Sequence, residues 1–331
     1  MFGIEMARHD ILSIDGPTMG TQFSVKFVSV FNKPLQSEIG PQITELLKDI
    51  NRQMSTYDPD SELSRFNQYG GVDWFAVSPE TARVVDYALK VANETDGAFD
   101  PTVGPAVNLW GFGPEGRRRK SPSEEEIETA LKRIGYQHVE ARLDPPALRK
   151  DIPDVYLDLS AVAKGYAVDA VTELLAEEGI KSSMVEIGGE VRTQGEKPGG
   201  NHWKIGIEPP YESGRVVRQV LEMEDAALAT SGDYRNFFEQ DGVRYSHTID
   251  PKTGRPVQHQ VTTVSVLADT CMEADALATA LLVMGEEKGY DWCGEHEVAA
   301  LFLTRTADDA IEEHATPAFT RRMNTTESIS K

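Results

Sequence analysis

The sequence predicts an α+β fold with mixed or antiparallel sheets, packed helices and two lobes. The length of 331 residues corresponds to about two lobes at roughly 150 residues each. A strand, helix, strand pattern near the middle is followed by a run of further strands, which favours layered helices and sheets over an all-parallel sheet. Several segments carry apolar residues at helical spacing, and these predict helices that bury one face.

The composition argues against a nucleic-acid partner. Asp and Glu number 54 against 33 Lys and Arg, a formal net charge of -21, and such a field repels phosphate backbones. A phosphate-bearing ligand would need local compensation by a divalent cation or by helix N-termini. The two cysteines, Cys271 and Cys293, lack metal spacing and are too few to predict a disulfide scaffold.

The first half of the chain predicts one strand and three helices. Phe23, Val25 and Phe27 alternate with polar residues, as in a half-buried strand, and the glycines from Gly16 to Gly20 indicate a backbone that a neighbour approaches closely. Two helical stripes follow, formed by Ile43, Leu46, Leu47, Ile50 and Met54, and by Ala82, Val85, Ala88, Leu89 and Ala92. The third helix lies in SPSEEEIETALKRIGY, with Ser121 as expected N-cap, Pro122 at the first helical position and Glu124 completing a capping box. The preceding segment, GFGPEGRRRKSP, predicts a loop whose basic run is a solvated face.

The second half predicts more strands and two helices. VYLDLS is interpreted as a strand with Asp158 at its end, followed by a turn and a helix ending at Gly179. SMVEIGGEVRTQG predicts a strand, and WKIGIEP, RQVLEME, VRYSHTID and TTVSVLA predict further strands. EADALATALLVMG predicts the last clear helix, with an apolar stripe, before a polar C-terminal tail over residues 306–331.

Asp275 and Thr279 form the first candidate constellation, because four residues on a helix place both side chains on one face. A carboxylate and a hydroxyl suit Mg²⁺, which takes few protein oxygens together with substrate phosphates. The alternative is an exposed Asp and a Thr that bonds to its own helix, and the spacing alone favours this alternative.

The turn in LDLSAVAKGYAVD is a second candidate, because free N–H groups at a helix start favour phosphate. It carries Asp158, Ala161 and Lys164, and an ordinary strand-to-helix connection is the alternative. Gly188 and Gly189 indicate either close backbone approach to a ligand or a β-bulge, while Ser231 lies in a loop that can offer a hydroxyl.

His247 is a candidate general base, since the unperturbed pKa of histidine is about 6.5; a structural hydrogen-bonding role is the alternative. The patterns G-x-S-x-G and H-E-x-x-H are absent from the sequence, which argues against a serine hydrolase or a zinc protease.

Eight segments occur in an order that resembles the ApbE family of flavin transferases, the FAD:protein FMN transferases. They are TMGTQFSVKF, MSTYDPDSELSRFN, GAFDPTVGPAVNLWGFG, DLSAVAKGYAVD, EIGGEVR, TSGDYRNFF, SHTIDPKTGRPV and MEADALATAL. The resemblance covers about residues 17 to 285. It implies an ApbE-like domain over residues 17–305, with two intimately associated lobes and the flavin site between them.

The resemblance implies that FMN is transferred from FAD to a Ser or Thr hydroxyl of a target protein, with Mg²⁺ or Mn²⁺ bound and AMP released. It implies metal ligation by the side chains of Asp275 and Thr279 and by backbone oxygens of Ala161 and Ala278. The implied flavin contacts are Met19, Tyr57, Thr102, Val103, Gly104, Asp158, Lys164 and Ile249, to which Gly188, Gly189 and Ser231 are added as candidates. His247 would orient or deprotonate the acceptor hydroxyl, with Asp250 beside it.

The implied partner is a subunit of a membrane redox complex that carries a Ser/Thr flavinylation motif. Two alternatives stay open: a FAD pyrophosphatase that releases FMN and AMP, and a non-catalytic flavin-binding protein. The first residues, MFGIEMARHDILSIDG, lack a charged region followed by an apolar one. Residues 1–16 are therefore expected to be an N-terminal tail, and the resemblance implies a periplasmic, membrane-anchored lipoprotein whose leader is absent from this chain.

Overall fold

The computed structural model describes residues 10–29, 35–114, 116, 121–207, 219–232, 237–240 and 243–329. Its helices are α1 Leu35–Met54, α2 Glu62–Gln68, α3 Pro79–Glu94, α4 Gly104–Leu109, α5 Glu124–Leu131, α6 Ala163–Glu177, α7 Cys271–Met284, α8 Glu286–His296 and α9 Pro317–Ile329. Its strands are β1 Ile11–Thr18, β2 Thr21–Val28, β3 Phe75–Ala76, β4 Val139–Leu143, β5 Pro146–Lys150, β6 Ser183–Ile187, β7 Glu190–Gln194, β8 Trp203–Ile207, β9 Gln219–Met223, β10 Ala227–Gly232, β11 Phe237–Gln240, β12 Val243–Ser246, β13 Ile249–Asp250, β14 Arg255–Pro256, β15 Val261–Ala268, β16 Ala299–Arg305 and β17 Ile311–Ala315.

An eight-stranded antiparallel sheet organises the fold, in the order β1-β2-β6-β7-β10-β15-β16-β17. Smaller antiparallel groups are β3-β5-β4 and the pairs β8-β9, β11-β12 and β13-β14. Helices α6 and α7 pack against the sheet and against each other. The predicted α+β class with antiparallel sheets is confirmed. In the part of the chain that the structure describes, no helix is both long and apolar enough to span a bilayer.

The first hairpin corrects the predicted N-terminal tail. Thr18 pairs with Thr21, so the connection is a two-residue turn formed by Met19 and Gly20, whose φ values are 47° and 73°. Positive φ at both positions is typical of a type I′ turn, whose twist matches a right-handed strand pair. The segment from Ile11 to Gly16 therefore belongs to β1 and is not a tail.

The C-terminal boundary is also corrected. Residues 306–331 were expected as a polar tail, but they contain β17 at the sheet edge and α9, whose Phe319 is 2% exposed within a second apolar cluster. In β17 the polar Glu312 and Glu313 are exposed, while Ile311 is buried. The basic residues 117–120 fall outside the described residues.

Three local predictions are wrong for identifiable reasons. Helix α5 is capped by Ser123, with Glu126 completing the capping box, because Ser121 bonds instead to the side chain of Gln240 through its N–H and hydroxyl, at 2.9 and 3.0 Å. Residues 155–159 form no strand; the side chain of Asn67 pairs with the N–H and C=O of Leu157 at 2.8 and 2.9 Å and takes the place of a neighbouring strand. SMVEIGGEVRTQG forms two strands, β6 and β7, joined by a turn.

Candidate functional site

A cavity of about 990 Å³ opens where strands of the main sheet, the β8–β9 pair and the segment around His247 meet. Its volume lies at the upper end of the range for small-molecule sites, roughly 300–1,000 Å³. Apolar residues from all three hydrophobic clusters contribute to the wall, for example Leu282, Ile205 and Ile249. A ligand of dinucleotide size therefore fits between separately packed parts of the fold.

Most of the predicted site residues line this cavity, although they come from segments far apart in the sequence. They are Tyr57, Val103, Asp158, Ala161, Lys164, Gly188, Gly189, Ser231, His247, Ile249, Asp275 and Thr279. Gly188 and Gly189 have φ values of 64° and 110° and form the β6–β7 turn, so the β-bulge alternative is wrong. A turn without side chains leaves its backbone free to approach a ligand.

Met19, Thr102 and Gly104 are not among the described residues that line the cavity. The Thr102 hydroxyl donates to Asp100 at 2.6 Å and accepts from the N–H of Gly135 at 2.7 Å, so it organises the loop instead of facing a ligand. A Cβ on Gly104 would lie 2.4 Å from the ring of Tyr156. The missing side chain makes room for that ring, and the flavin contact that the resemblance implies for Gly104 stays a prediction.

Asp250 and Ala278 also lie away from the described cavity wall. The Asp250 carboxylate accepts from the N–H of Lys252 at 2.9 Å and from the hydroxyl of Thr253 at 3.1 Å. These bonds are typical of an Asx turn and give Asp250 a structural role in that turn, while its catalytic role stays a prediction. Ala278 is fully buried, and the cavity-facing residues of α7 are Asp275, Thr279, Leu282 and Val283.

Asp275 is a buried carboxylate held in place by a neighbouring helix. Its Oδ2 accepts a 2.9 Å hydrogen bond from the N–H of Gly165 in the first turn of α6, and the residue is 3% exposed. One turn later, the Thr279 hydroxyl lies 3.0 Å from that of Ser231 on β10. The predicted pairing of carboxylate and hydroxyl on one helix face is confirmed in position, and the alternative of an exposed Asp is wrong.

The start of α7 is positioned by Asp169 of α6. Its carboxylate accepts from the N–H groups of Cys271 and Met272, both at 2.9 Å, and from Arg192 at 2.7 Å. Burial raises the pKa of Asp169, although these hydrogen bonds and the charge of Arg192 oppose that rise. Free N–H groups at a helix start favour an anionic partner, so Asp169 fixes the helix that carries Asp275.

Lys164 lies between two buried carboxylates. Its Nζ is 2.6 Å from Oε1 of Glu190 and 3.7 Å from Oδ1 of Asp275. Burial raises the pKa of Glu190 to about 7, against the opposing charge of Lys164. The pKa of Lys164 is lowered by burial but raised more strongly by Asp275 and Glu190. A single ammonium group therefore compensates these two acids only in part.

The cavity wall carries an excess of negative charge. Its described residues include the carboxylates of Asp100, Asp158, Glu186, Glu190 and Asp275, against the ammonium groups of Lys164 and Lys204. Oε2 of Glu190 is buried and has no hydrogen-bond partner among the residues that the structure describes. Such a wall disfavours a bare polyphosphate and favours one that arrives with a cation.

Aromatic and apolar surface occupies other parts of the wall. Tyr57 is 69% exposed although it is large and aromatic, and partial desolvation, followed by the charge of Asp158, raises its pKa. An exposed ring at a cavity mouth can stack on a planar ligand. Ile249, Val103 and Phe112 add apolar surface.

The segment that carries His247 is anchored by α4. The indole of Trp110 donates to the C=O of Gly254 at 2.8 Å and stacks on Tyr245 with ring centroids 5.3 Å apart. The ring of His247 meets that of Phe112 edge-on at 6.3 Å. His247 is half-buried on the cavity wall, where its imidazole can reach a bound substrate.

Sequence reasoning missed several wall residues, of which Asp100, Glu186, Glu190 and Lys204 carry charge. Glu190 occupies a buried position at the start of β7. An acid at a core position of a strand is an unusual signal, and it was available in EIGGEVR. Lys204 alternates with buried residues in β8, so nothing in its pattern distinguishes it from a solvent-facing lysine.

Comparisons with known proteins agree with this geometry. The model of the ApbE family matches residues 19–302. A FAD:protein FMN transferase from Vibrio cholerae is 48% identical over 310 residues, which cover 92% of this chain and 91% of that protein. The solved structure of the flavin transferase ApbE from Vibrio cholerae shares 44% identity with a TM-score of 0.87, covering 95% of this chain and 99% of that one. The apo form of a Pseudomonas stutzeri flavinyl transferase ApbE shares 36% identity with a TM-score of 0.88, covering 97% and 99%.

Proposed function

The chain belongs to the ApbE family, and from this premise we propose that it is a FAD:protein FMN transferase whose cavity binds FAD together with a divalent cation. The cavity that brings Asp275, Thr279, Lys164 and His247 together carries the proposal. The names of the similar proteins support the reaction, while the residues of this chain support its details.

The donor chemistry fits Mg²⁺, with Mn²⁺ as the alternative. Asp275 and Thr279 offer hard oxygen atoms one helical turn apart on the cavity wall, and Mg²⁺ binds through one or two carboxylates plus substrate phosphates. The excess of acidic residues and the unpartnered Glu190 oxygen support a requirement for added positive charge. The backbone oxygen of Ala161, which lies on the cavity wall, would be a third ligand. The backbone oxygen of Ala278 stays a proposed ligand, although Ala278 is not among the described residues of that wall.

The residues of this chain bind and orient the two substrates. Tyr57 and Ile249 offer faces to the flavin and adenine rings, and the Gly188–Gly189 turn allows the pyrophosphate close to the backbone. A bound cation would neutralise the pyrophosphate oxygens as a Lewis acid. His247 then holds the acceptor hydroxyl beside the phosphorus of the FMN moiety.

The proposed transfer breaks one bond and forms one bond. The acceptor oxygen bonds to the FMN phosphorus, and the bond between that phosphorus and the oxygen of AMP breaks. His247 takes the hydroxyl proton and passes it to solvent, while AMP leaves with the bridging oxygen. Phosphoryl transfer depends mainly on positioning and charge stabilisation, so the held geometry of Asp275 matters as much as the base.

The acceptor and the location are proposed on the family resemblance. A Ser or Thr hydroxyl on a subunit of a membrane redox complex is the proposed acceptor, and the native protein is proposed to be a periplasmic lipoprotein. Mass spectrometry of the protein from its native membrane fraction tests the location. A lipid-modified N-terminal cysteine is the expected result, and an unmodified protein recovered from the cytoplasm would contradict it.

The reaction is tested by incubating the protein with FAD, Mg²⁺ and an acceptor domain that carries the flavinylation motif. The expected product is a fluorescent acceptor whose mass has increased by one FMN, with AMP released in equal amount. Asp275→Asn is the matched variant, because it keeps the shape of the side chain but removes the charge. Release of FMN and AMP without any adduct would indicate a pyrophosphatase, and FAD bound intact would indicate a binding protein.

A further inference from the structure

Three side chains outside the cavity place metal-ligating atoms together at one end of the β8–β9 pair. Glu196 follows β7, His202 directly precedes β8 and Glu224 directly follows β9. One donor atom from each residue lies within 4.8 Å of the others. None of the three is among the described residues that line the FAD cavity, so this cluster is separate from the proposed active site.

His202 gives an independent reason to expect a ligand. The residue is 5% exposed, and its Nδ1 has no hydrogen-bond partner among the described residues. The nearest acidic atom, Oε2 of Glu224, lies 3.4 Å from Nδ1, which is longer than the usual range of roughly 2.7–3.2 Å for N–H···O. Two ligands of a tetrahedral ion with bonds of about 2.0–2.1 Å are about 3.4 Å apart. The observed separation therefore suits a shared cation better than a direct hydrogen bond.

The backbone around the cluster is held by hydrogen bonds. The N–H of Gly195 donates to Asp225 at 2.8 Å, and the hydroxyl of Ser182 donates to the C=O of Glu196 at 2.6 Å. The turn between Glu196 and His202 is closed by the N–H of Lys197 donating to the C=O of Asn201 at 2.8 Å. These hydrogen bonds hold the backbone of the segments that carry the three donor atoms.

The donor set selects the class of cation. Imidazole nitrogen with two carboxylates suits Zn²⁺ and similar transition metals, whereas Mg²⁺ prefers oxygen ligands and an octahedral shell. Two carboxylates also match the charge of a divalent ion. We propose that Glu196, His202 and Glu224 form a second metal site that binds Zn²⁺ and fastens the β8–β9 pair to the end of β7.

The site is structural in this proposal. Binding links three segments that are separated by turns, so the ion stabilises the folded chain by mass action. Because β8 contributes Lys204 to Ile207 to the cavity wall, a firm β8–β9 pair also keeps that wall in place. No step of the transfer reaction passes through this ion.

The test uses the full chain, freed of metal with a chelator and then titrated with Zn²⁺ in the presence of excess Mg²⁺ by calorimetry. One Zn²⁺ per chain is expected, with X-ray absorption showing one imidazole and oxygen ligands. His202→Ala and Glu224→Gln should each weaken binding at least about 10-fold, since loss of even an outer partner costs about 10- to 100-fold. Glu222→Gln is the matched control, because Glu222 lies nearby on β9 but pairs with Lys204 at 2.8 Å; its affinity for Zn²⁺ should stay unchanged.

Two further readouts separate the second site from the cavity. Asp275→Asn should retain the Zn²⁺, and Zn²⁺ should raise the melting temperature of the wild type but not that of Glu224→Gln. Glu224 is partly exposed, so its variant keeps the test valid if His202→Ala does not fold. Equal Zn²⁺ affinity in the wild type and Glu224→Gln, or loss of the ion in Asp275→Asn alone, would overturn the proposal.

Discussion

Gly165→Ala should disrupt the proposed metal site although it leaves every proposed ligand in the sequence. Gly165 lies in the first turn of α6, where an added Cβ would lie 2.3 Å from the carbonyl oxygen of Cys271 and 2.8 Å from Cβ of Asp275. Its N–H also donates to Oδ2 of Asp275 at 2.9 Å. The substitution therefore acts on both the separation of α6 from α7 and the orientation of the carboxylate.

The size of the effect follows from two opposing terms. Alanine gains up to about 1 kcal/mol over glycine within a helix, whereas forcing atoms into a packed core costs roughly 1–3 kcal/mol. The neighbour is a backbone carbonyl, so relief requires the helices to part by about 1 Å, from 2.3 Å toward the ordinary contact distance of 3.4 Å. A net loss of about 1–2 kcal/mol in unfolding free energy is expected. A displacement of that size can also cost about 100-fold in rate.

Urea unfolding measures the stability term, and the rate of FMN transfer at a series of Mg²⁺ concentrations measures the effect on the site. Gly294→Ala is the matched control, because Gly294 lies in α8 and a Cβ there meets nothing within 4 Å. This control should be as stable as the wild type or slightly more stable, with unchanged transfer. If Gly165→Ala matches the control in stability and in Mg²⁺ dependence, the packing argument is wrong.

Three further outcomes are expected. Thr279→Val should raise the Mg²⁺ concentration needed for half-maximal transfer about 10-fold, because it removes one oxygen donor but keeps the shape, and the lost hydrogen bond to Ser231 should lower the free energy of unfolding by about 1 kcal/mol; an unchanged Mg²⁺ titration would contradict this. His247→Asn should lower the transfer rate about 100-fold or more, whereas Asp250→Ala should mainly lower the free energy of unfolding measured in urea, by about 1–2 kcal/mol for two lost hydrogen bonds; the reverse pattern would assign the catalytic role to Asp250. Burial lowers the pKa of Lys150 to about 8 from its ordinary 10.5, so the unfolded chain binds more protons than the folded chain between these pH values. The free energy of unfolding should therefore rise as the pH rises from about 8 to 10.5, by up to roughly 3 kcal/mol relative to Lys150→Met. Parallel curves of unfolding free energy against pH for the two proteins would refute this.

The sequence predicted where the site residues lie along a helix better than it predicted whether those residues are buried. The spacing of Asp275 and Thr279 placed both side chains on one face of a helix, and the structure agrees. Spacing could not show that this face is buried, because burial depends on α6 packing against α7 from a segment about 110 residues earlier. For this reason the spacing alone favours an exposed Asp275 and a Thr279 that bonds to its own helix. The resemblance of eight ordered segments to the ApbE family favours a metal site instead.

The errors in the predicted fold also have physical causes. The side chain of Asn67 forms the hydrogen bonds with the N–H and C=O of Leu157 that a neighbouring strand would otherwise form. Residues 155–159 therefore have the sequence pattern of a strand but are not paired with one. In β1, Gly16 interrupts the alternation, and its missing Cβ makes room for the ring of Phe23, which would lie 2.7 Å away. Tertiary contacts replace local propensity at both places, and local patterns cannot report them.

The charge of the cavity explains why the distant supports of Asp275 matter. Among the residues that the structure describes, Lys164 is the ammonium group that lies between Asp275 and Glu190, in a protein whose formal net charge is -21. A polyphosphate can enter such a cavity only if a cation stands between it and the wall, and the cation needs the carboxylate at a fixed position because Mg²⁺ tolerates little distortion of its shell. Asp169, which holds the start of α7, and Gly165, which holds the carboxylate itself, would therefore set the affinity for the proposed cation without touching it. Because both supports belong to α6, the packing of α6 against α7 links the stability of this fold to its proposed chemistry.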